Sequence, residues 1–179
     1  MRLIQFYTSD KQRAVAIVNS ADSVTVLHSV SSVYQLAQLA LSNQLSLQQQ
    51  SLALKSDTTL SYIDIIQQQR LLPPYDHPDD AAHMLVTGTG LTHLGSADTR
   101  ATMHAQTSGK ADSELTDTMK MFKLGVEGGK PAAGQQGVQP EWFYKGDGSI
   151  LVNPGAALHA PAFAGDGGVE AEIAGGYMI

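Results

Sequence analysis

The chain has 179 residues, 42% hydrophobic and 16% charged, a balance that supports a buried core and excludes a disordered chain. A formal charge of −6 argues against a dedicated nucleic-acid or anionic-membrane binder, because the 11 basic residues are scattered rather than clustered. With no cysteine, disulfides, thiolate catalysis and Cys-based zinc sites are excluded.

The start turns polar after Phe6 and Tyr7, too early for a signal-peptide core. No apolar run approaches membrane-spanning length, so the cytoplasm is the expected compartment. Residues 1–87 contain neither glycine nor glutamate, and all 17 glycines follow from Gly88 onward. Two regions of different architecture are expected. In the first, Leu3–Tyr7, Ala14–Val18 and Val24–Leu27 are short apolar runs separated by Thr8-Ser9-Asp10 and Asn19-Ser20-Ala21-Asp22, which predicts a three-stranded meander.

From Val33 the apolar spacing turns helical through Leu36, Ala37, Leu39, Ala40 and Leu41, with Ser31 or Ser32 as cap, and a second helix is expected over Leu45–Leu54. The runs Gln48–Gln50 and Gln67–Gln69 read as solvated helix faces. Leu71-Leu72-Pro73-Pro74-Tyr75-Asp76-His77-Pro78 stops helix propagation and predicts an extended connector. It ends a small N-terminal α+β domain, residues 1–78, and begins a second region, 79–179.

Ala82–Thr87 predicts a strand running into the glycine-rich Gly88–Gly95. A dinucleotide-binding turn is disfavoured, because the third glycine of G-x-G-x-x-G falls at His93. Gly125–Pro131 is not a phosphate loop either, since Pro131 stands where a Mg²⁺-binding Ser or Thr is needed. Glu114–Val126 predicts a helix capped by Asp112 or Ser113, with Leu115, Met119, Phe122 and Val126 as its core stripe. Glu141–Lys145 predicts an aromatic strand ended by Gly146-Asp147-Gly148, Ile150–Val152 starts another, and the remainder reads as β-rich.

The tail carries Glu170-Ala171-Glu172. If it is a strand, both carboxylates share one face, and their repulsion must be relieved by raised pKa values, by Lys or Arg partners, or by a hard cation such as Mg²⁺. The alternative is a strand with two solvated carboxylates. His28, His77, His83, His104 and His159 show no metal-ligand spacing among themselves. Asp98 and Arg100 serve equally well as an ion pair or helix cap and as substrate contacts.

Thr87–Arg100, the segment Glu141–Gly148 and the final Glu-x-Glu, in that order, resemble the fumarylacetoacetate hydrolase superfamily. The two long motifs look like its branch labelled 2-keto-3-deoxy-arabinonate dehydratase-like, and the resemblance covers 82–179 more fully than 1–81. It implies that 79–179 is the first part of a β-rich catalytic domain of a homodimeric enzyme. That enzyme would be a lyase or hydrolase acting on a small 2-oxo acid with Mg²⁺ or Mn²⁺.

By that resemblance Glu170 and Glu172 are two of three carboxylate metal ligands, Lys145 binds or polarises substrate, and His93 lies near the acid–base histidine. Lys145 has the alternative of snorkelling from its strand, and His93 that of a hydrogen-bonded turn residue. Thr89 and Gly90 stand where the family carries Asn and Tyr, and glycine follows Lys145 where many relatives have proline. The family's third carboxylate falls beyond Ile179, which leads to the expectation of a fragment or natural truncation. The rival function is a non-catalytic small-molecule-binding or structural fragment.

Overall fold

The computed structural model describes residues 1–90, 113, 115–138, 141–165, 167 and 171–179. The chain is α+β and divides into two compact units, one of Met1–Met84 with Asp147–Ile179 and the other of Leu85–Gly146.

The first unit is built on an antiparallel sheet in the order β1 (Leu3–Tyr7), β2 (Arg13–Val18), β3 (Ser23–Leu27), β4 (Lys55–Ser61). The meander expected for the first three strands is present, with Leu3 opposite Ile17 and Phe6 opposite Ala14. β4 is an addition: its sequence KSDTTLS is mostly exposed and carries no apolar run. α1 (Val33–Ser42) and α2 (Leu47–Ala53) connect β3 to β4, and α3 (Tyr62–Gln67) follows β4.

Alternation sorts the strand residues onto two faces. Val15, Ile17 and Leu27 pack with Val33 and Leu36 of α1, joined by Leu3, Leu54 and Tyr75. On the opposite face Phe6, Ala14, Ala16 and Val24 pack with Ile65 of α3, joined by Leu60, Tyr62 and Leu71. Helices therefore cover both sides of the sheet. Full burial of Phe6 or Leu36 contributes about 2–3 kcal/mol each.

α1, α2 and α3 each begin at a serine whose hydroxyl accepts an otherwise orphaned amide: Ser32 from Gln35 at 3.1 Å, Ser46 from Gln49 at 3.2 Å and Ser61 from Asp64 at 3.2 Å. Ser46 and Gln49 form a complete capping box. The Gln48–Gln50 run is accordingly not a uniform solvated face. Gln49 is committed to the cap, and Gln50 is buried, its Oε1 accepting from Asn43 Nδ2 at 2.8 Å.

α1 and α3 close with the same device. Leu45 N–H donates to Ala40 and Gln44 N–H to Leu41; Arg70 N–H donates to Ile65 and Gln69 N–H to Ile66. These are Schellman closures whose left-handed residue is glutamine, Gln44 at φ 56° and Gln69 at φ 52°. Lys11 and Ser29 are also left-handed, so a stretch without glycine still makes four positive-φ turns.

The connector after α3 belongs to the sheet as much as it leaves it. Tyr7 N–H donates to Arg70 at 2.9 Å, Leu72 N–H donates to Gln5 at 2.9 Å, and Phe6 forms a β-bridge with Leu71. Gln5 is fully buried yet well partnered. Its Nε2 donates to Pro73 O at 2.6 Å and Asp76 Oδ1 at 2.9 Å, and its Oε1 accepts from Val33 N at 2.6 Å. Asp76 also holds Arg13 at 2.6 Å.

Ala82–Thr87 differs from a continuous strand. Asp80 caps a 3₁₀ turn at Ala81–His83, and β5 runs Leu85–Gly90. The helix expected over Glu114–Val126 is α4, Asp117–Gly128, capped by Thr116 rather than Asp112 or Ser113. The Thr116 hydroxyl accepts from Met119 N, and Asp117 then supplies the first-turn acid, which pairs with Lys120 at 3.1 Å. Leu115, Met119 and Phe122 are half-buried. β6 runs Glu141–Asp147, through the glycine and aspartate expected to end it.

Ile150–Val152 is not a strand. Asp147 Oδ1 accepts from both the amide and the hydroxyl of Ser149, and this local bond draws Gly148–Ile150 into a 3₁₀ turn. The described residues of 151–179 contain no strand, so the expected β-rich tail is corrected to turns and irregular backbone. Among the described residues, no helix is long and apolar enough to cross a membrane.

Candidate functional site

β5 and β6 form a two-stranded sheet, which joins Thr87–Gly90 to Glu141–Asp147 across more than fifty residues of sequence. Phe143 and Lys145, two apart on β6, share a face by strand alternation. Gly88 of β5 is buried beneath them: a Cβ there would stand 2.5 Å from the Phe143 ring and 2.7 Å from Lys145 Cε. The bare backbone at Gly88 is what lets ring and lysine stem lie down on the neighbouring strand.

Lys145 Nζ lies 5.5 Å from the Phe143 ring centroid, a cation–π approach, while the lysine itself stays exposed. The lysine thus combines a supported stem with an exposed side chain. Chemically this is a group able to receive a carboxylate or carbonyl oxygen from solution. Its neighbours Trp142 and Tyr144 are exposed as well.

Just after the strand, the Ser149 hydroxyl and, second, its amide hold the Asp147 carboxyl below the usual carboxylate range. Asp147 is therefore an ionised turn-former, engaged by its own loop.

Of the residues singled out in the sequence, Lys145 and Glu172 fall among the described ones. His93 and Glu170 lie outside them, as do Asp98, Arg100 and His104. Glu172 lies exposed on irregular backbone in the first unit, and Lys145 belongs to the second. The neighbouring Ile173 and Tyr177 are exposed. The Glu-x-Glu strand face is not present at Glu172, because no ladder forms over 171–179.

Glu172 offers the hard oxygen donors that Mg²⁺ or Mn²⁺ prefers, so its chemistry fits such a cation. Among the described residues no three His, Asp or Glu side chains converge into a metal centre, so no coordination geometry is drawn.

One cluster had only a faint signal in the sequence. His77 and His83 stack with centroids 5.1 Å apart, Tyr34 packs on His77 at 4.7 Å, and Asp80 bonds to both histidines. The spacing His77, Asp80, His83 was the available clue, since a three-residue interval returns to the same side of a tight turn. No family model, curated protein or solved structure matches this chain.

Proposed function

We propose that the protein is a divalent-metal-dependent lyase or hydrolase of a 2-oxo acid, with dehydration of a 2-keto-3-deoxy sugar acid as its reaction. One observation carries the reading. Thr87–Gly90, the start of one motif that resembles the fumarylacetoacetate hydrolase superfamily, and Glu141–Asp147 of the other, remote along the chain, lie on adjacent strands of one small sheet, with Gly88 of the first seating Lys145 of the second. The active form would be a cytoplasmic homodimer, with neither nucleic acid nor membrane as a partner.

Glu170 and Glu172 would hold Mg²⁺ or Mn²⁺, which when bound would act as a Lewis acid on a chelated 2-oxo carboxylate. Lys145 would bind the substrate's anionic end, its position set by Phe143 and Gly88. His93 would move the proton α to the carbonyl and return one to the departing hydroxyl as water leaves. In that balance a C–H and a C–O bond break, a C=C bond forms, and no redox partner is needed.

The test is turnover of 2-keto-3-deoxy sugar acids with Mg²⁺ or Mn²⁺. Activity should vanish with chelator and in the double variant E170Q/E172Q, and Lys145→Met should lower kcat/KM by about a hundredfold. Calorimetry with Mg²⁺ and pyruvate or oxalate supplies the contrast. Binding without turnover would assign the chain to the non-catalytic alternative, and unaltered Mg²⁺ binding in E170Q/E172Q would remove the metal site.

A further inference from the structure

The turn leading into β5 carries a pair of histidines that the proposed reaction does not use. Asp80 joins them in opposite senses. Its backbone N–H donates to His77 Nδ1 at 3.0 Å, whereas its Oδ2 lies 2.8 Å from His83 Nδ1. Its remaining oxygen, Oδ1, accepts from Ala82 N at 2.9 Å and closes the 3₁₀ turn.

The Ala82 amide first, and then His83, keep the Asp80 carboxyl below its usual range, so it is ionised and can only accept wherever imidazoles titrate. The two rings must then be opposite tautomers. His77 has a bare Nδ1 and carries its proton on Nε2; His83 carries its proton on Nδ1.

We propose that His77, Asp80 and His83 form a proton-operated latch on this turn, closed while His77 is neutral and opened when it is protonated. A proton on His77 Nδ1 sets two donors against each other, N–H against N–H, and the bond from Asp80 cannot survive. If His83 is charged as well, two like charges face each other across the 5.1 Å stack.

The other groups around the rings do not carry the switch. Tyr34 of α1 packs on His77 through its ring. Tyr75, beside Tyr34, is pushed above its ordinary value by burial first and by Tyr34 second, so it stays neutral. Asp76 is committed to Arg13 at 2.6 Å and to Gln5 at 2.9 Å. Asp80 supplies the carboxylate bonded within the cluster, and it stays ionised throughout.

Nitrogen NMR of the whole chain tests the latch independently of any enzymatic activity. At about pH 8, above the imidazole range, the His77 and His83 rings should show opposite tautomers. Between about pH 8 and about pH 5 the Asp80 amide should lose about fivefold in hydrogen-exchange protection, the loss of one neutral hydrogen bond, while Ala82 keeps its own.

His77→Asn keeps a side-chain acceptor that does not titrate, so the pH response of Asp80 should disappear. Matching tautomers, constant Asp80 protection in the unsubstituted protein, or an unchanged response in His77→Asn would each overturn the proposal. The first two need no variant, so they decide the question even if the substitution impairs folding.

Discussion

Residues 1–84 and the described part of Leu85–Gly146 solve the problem of a small fold differently. The first stretch has no glycine and places helices on both sides of a sheet, so that Phe6, Val15, Val24, Leu36 and Ile65 are all lost to solvent. The second has a two-stranded ribbon, leaves Trp142, Phe143 and Tyr144 exposed, and depends on Gly88 for its tightest approach. Aromatic content is therefore a poor guide to where stability resides. The aliphatic and alanine-rich sheet holds the core, while the aromatic strand offers its side chains outward beside Lys145.

That contrast breaks most visibly if the wrong ring is removed. Phe6→Ala, at 0% exposure, should cost about 3–5 kcal/mol in urea unfolding, whereas Trp142→Ala, at 54% exposure, should change stability by about 0.5 kcal/mol or less. Equal losses would mean that β6 is covered as thoroughly as β1.

Next in size is Gln5→Leu, which keeps the volume but orphans the Val33 amide and the Pro73 carbonyl. A loss of about 2–4 kcal/mol in the same experiment is expected. Gly88→Ala should cost about 1–3 kcal/mol as the new methyl displaces the Phe143 ring. The sharper readout is the ring-current shift of the Lys145 ε-protons, which should collapse toward that of a free lysine.

At the small end, Gln44→Gly and Gln69→Gly should each stabilise the first unit by about 0.5 kcal/mol. Relief of the left-handed side chain slightly outweighs the extra freedom gained by the unfolded chain.

Acid sharpens the comparison from another side. The carboxyls of Asp80 and Asp147 are both depressed, so their turns are fully supported above the unfolded value of about 3.9 and lose that support as pH falls through the lower folded value. The amides of Ala82 and Ser149 should report this loss by shifting below about pH 3.9, with the sheet amides of β1–β3 unmoved.

The first unit was legible where patterning and chemistry agreed. Three apolar runs broken by turn residues became β1–β3, and the helical spacing after Ser32 became α1. β4 escaped because Lys55–Ser61 carries Lys55, Asp57, Thr58 and Thr59 outward and contributes only Leu60 to the core face. α3 was signalled only by the Gln67–Gln69 run at its end, of which Gln67 alone is helical, because the helix is a single short stretch with Ile65 buried and Ile63 and Ile66 exposed, which blurs any periodic signal.

Downstream, local hydrogen bonds overrode strand propensity. Asp147 with Ser149 turns the chain where Ile150–Val152 reads as β, and Thr116 starts α4 later than Asp112 or Ser113 would. For the candidate site, Lys145 was singled out through the family resemblance, its aromatic strand alone being equally consistent with a snorkelling side chain, and its seat on Gly88 was not legible. That seat depends on how the strands pair, and spacing within one strand carries no information about the other. The His77–His83 stack was hidden for a related reason, since ring contacts across a tight turn depend on where Asp80 sends its amide.

The bridge between Phe6 and Leu71 has a consequence for self-association. The backbone of Arg70–Leu72 already occupies the outer side of β1, so a foreign strand finds that margin taken. On the opposite margin β4 presents Lys55 and Asp57, charges that discourage a second sheet from docking in register. The first unit is thereby guarded against growth into extended β-aggregates, and a homodimer would have to assemble through some surface other than these two strand margins.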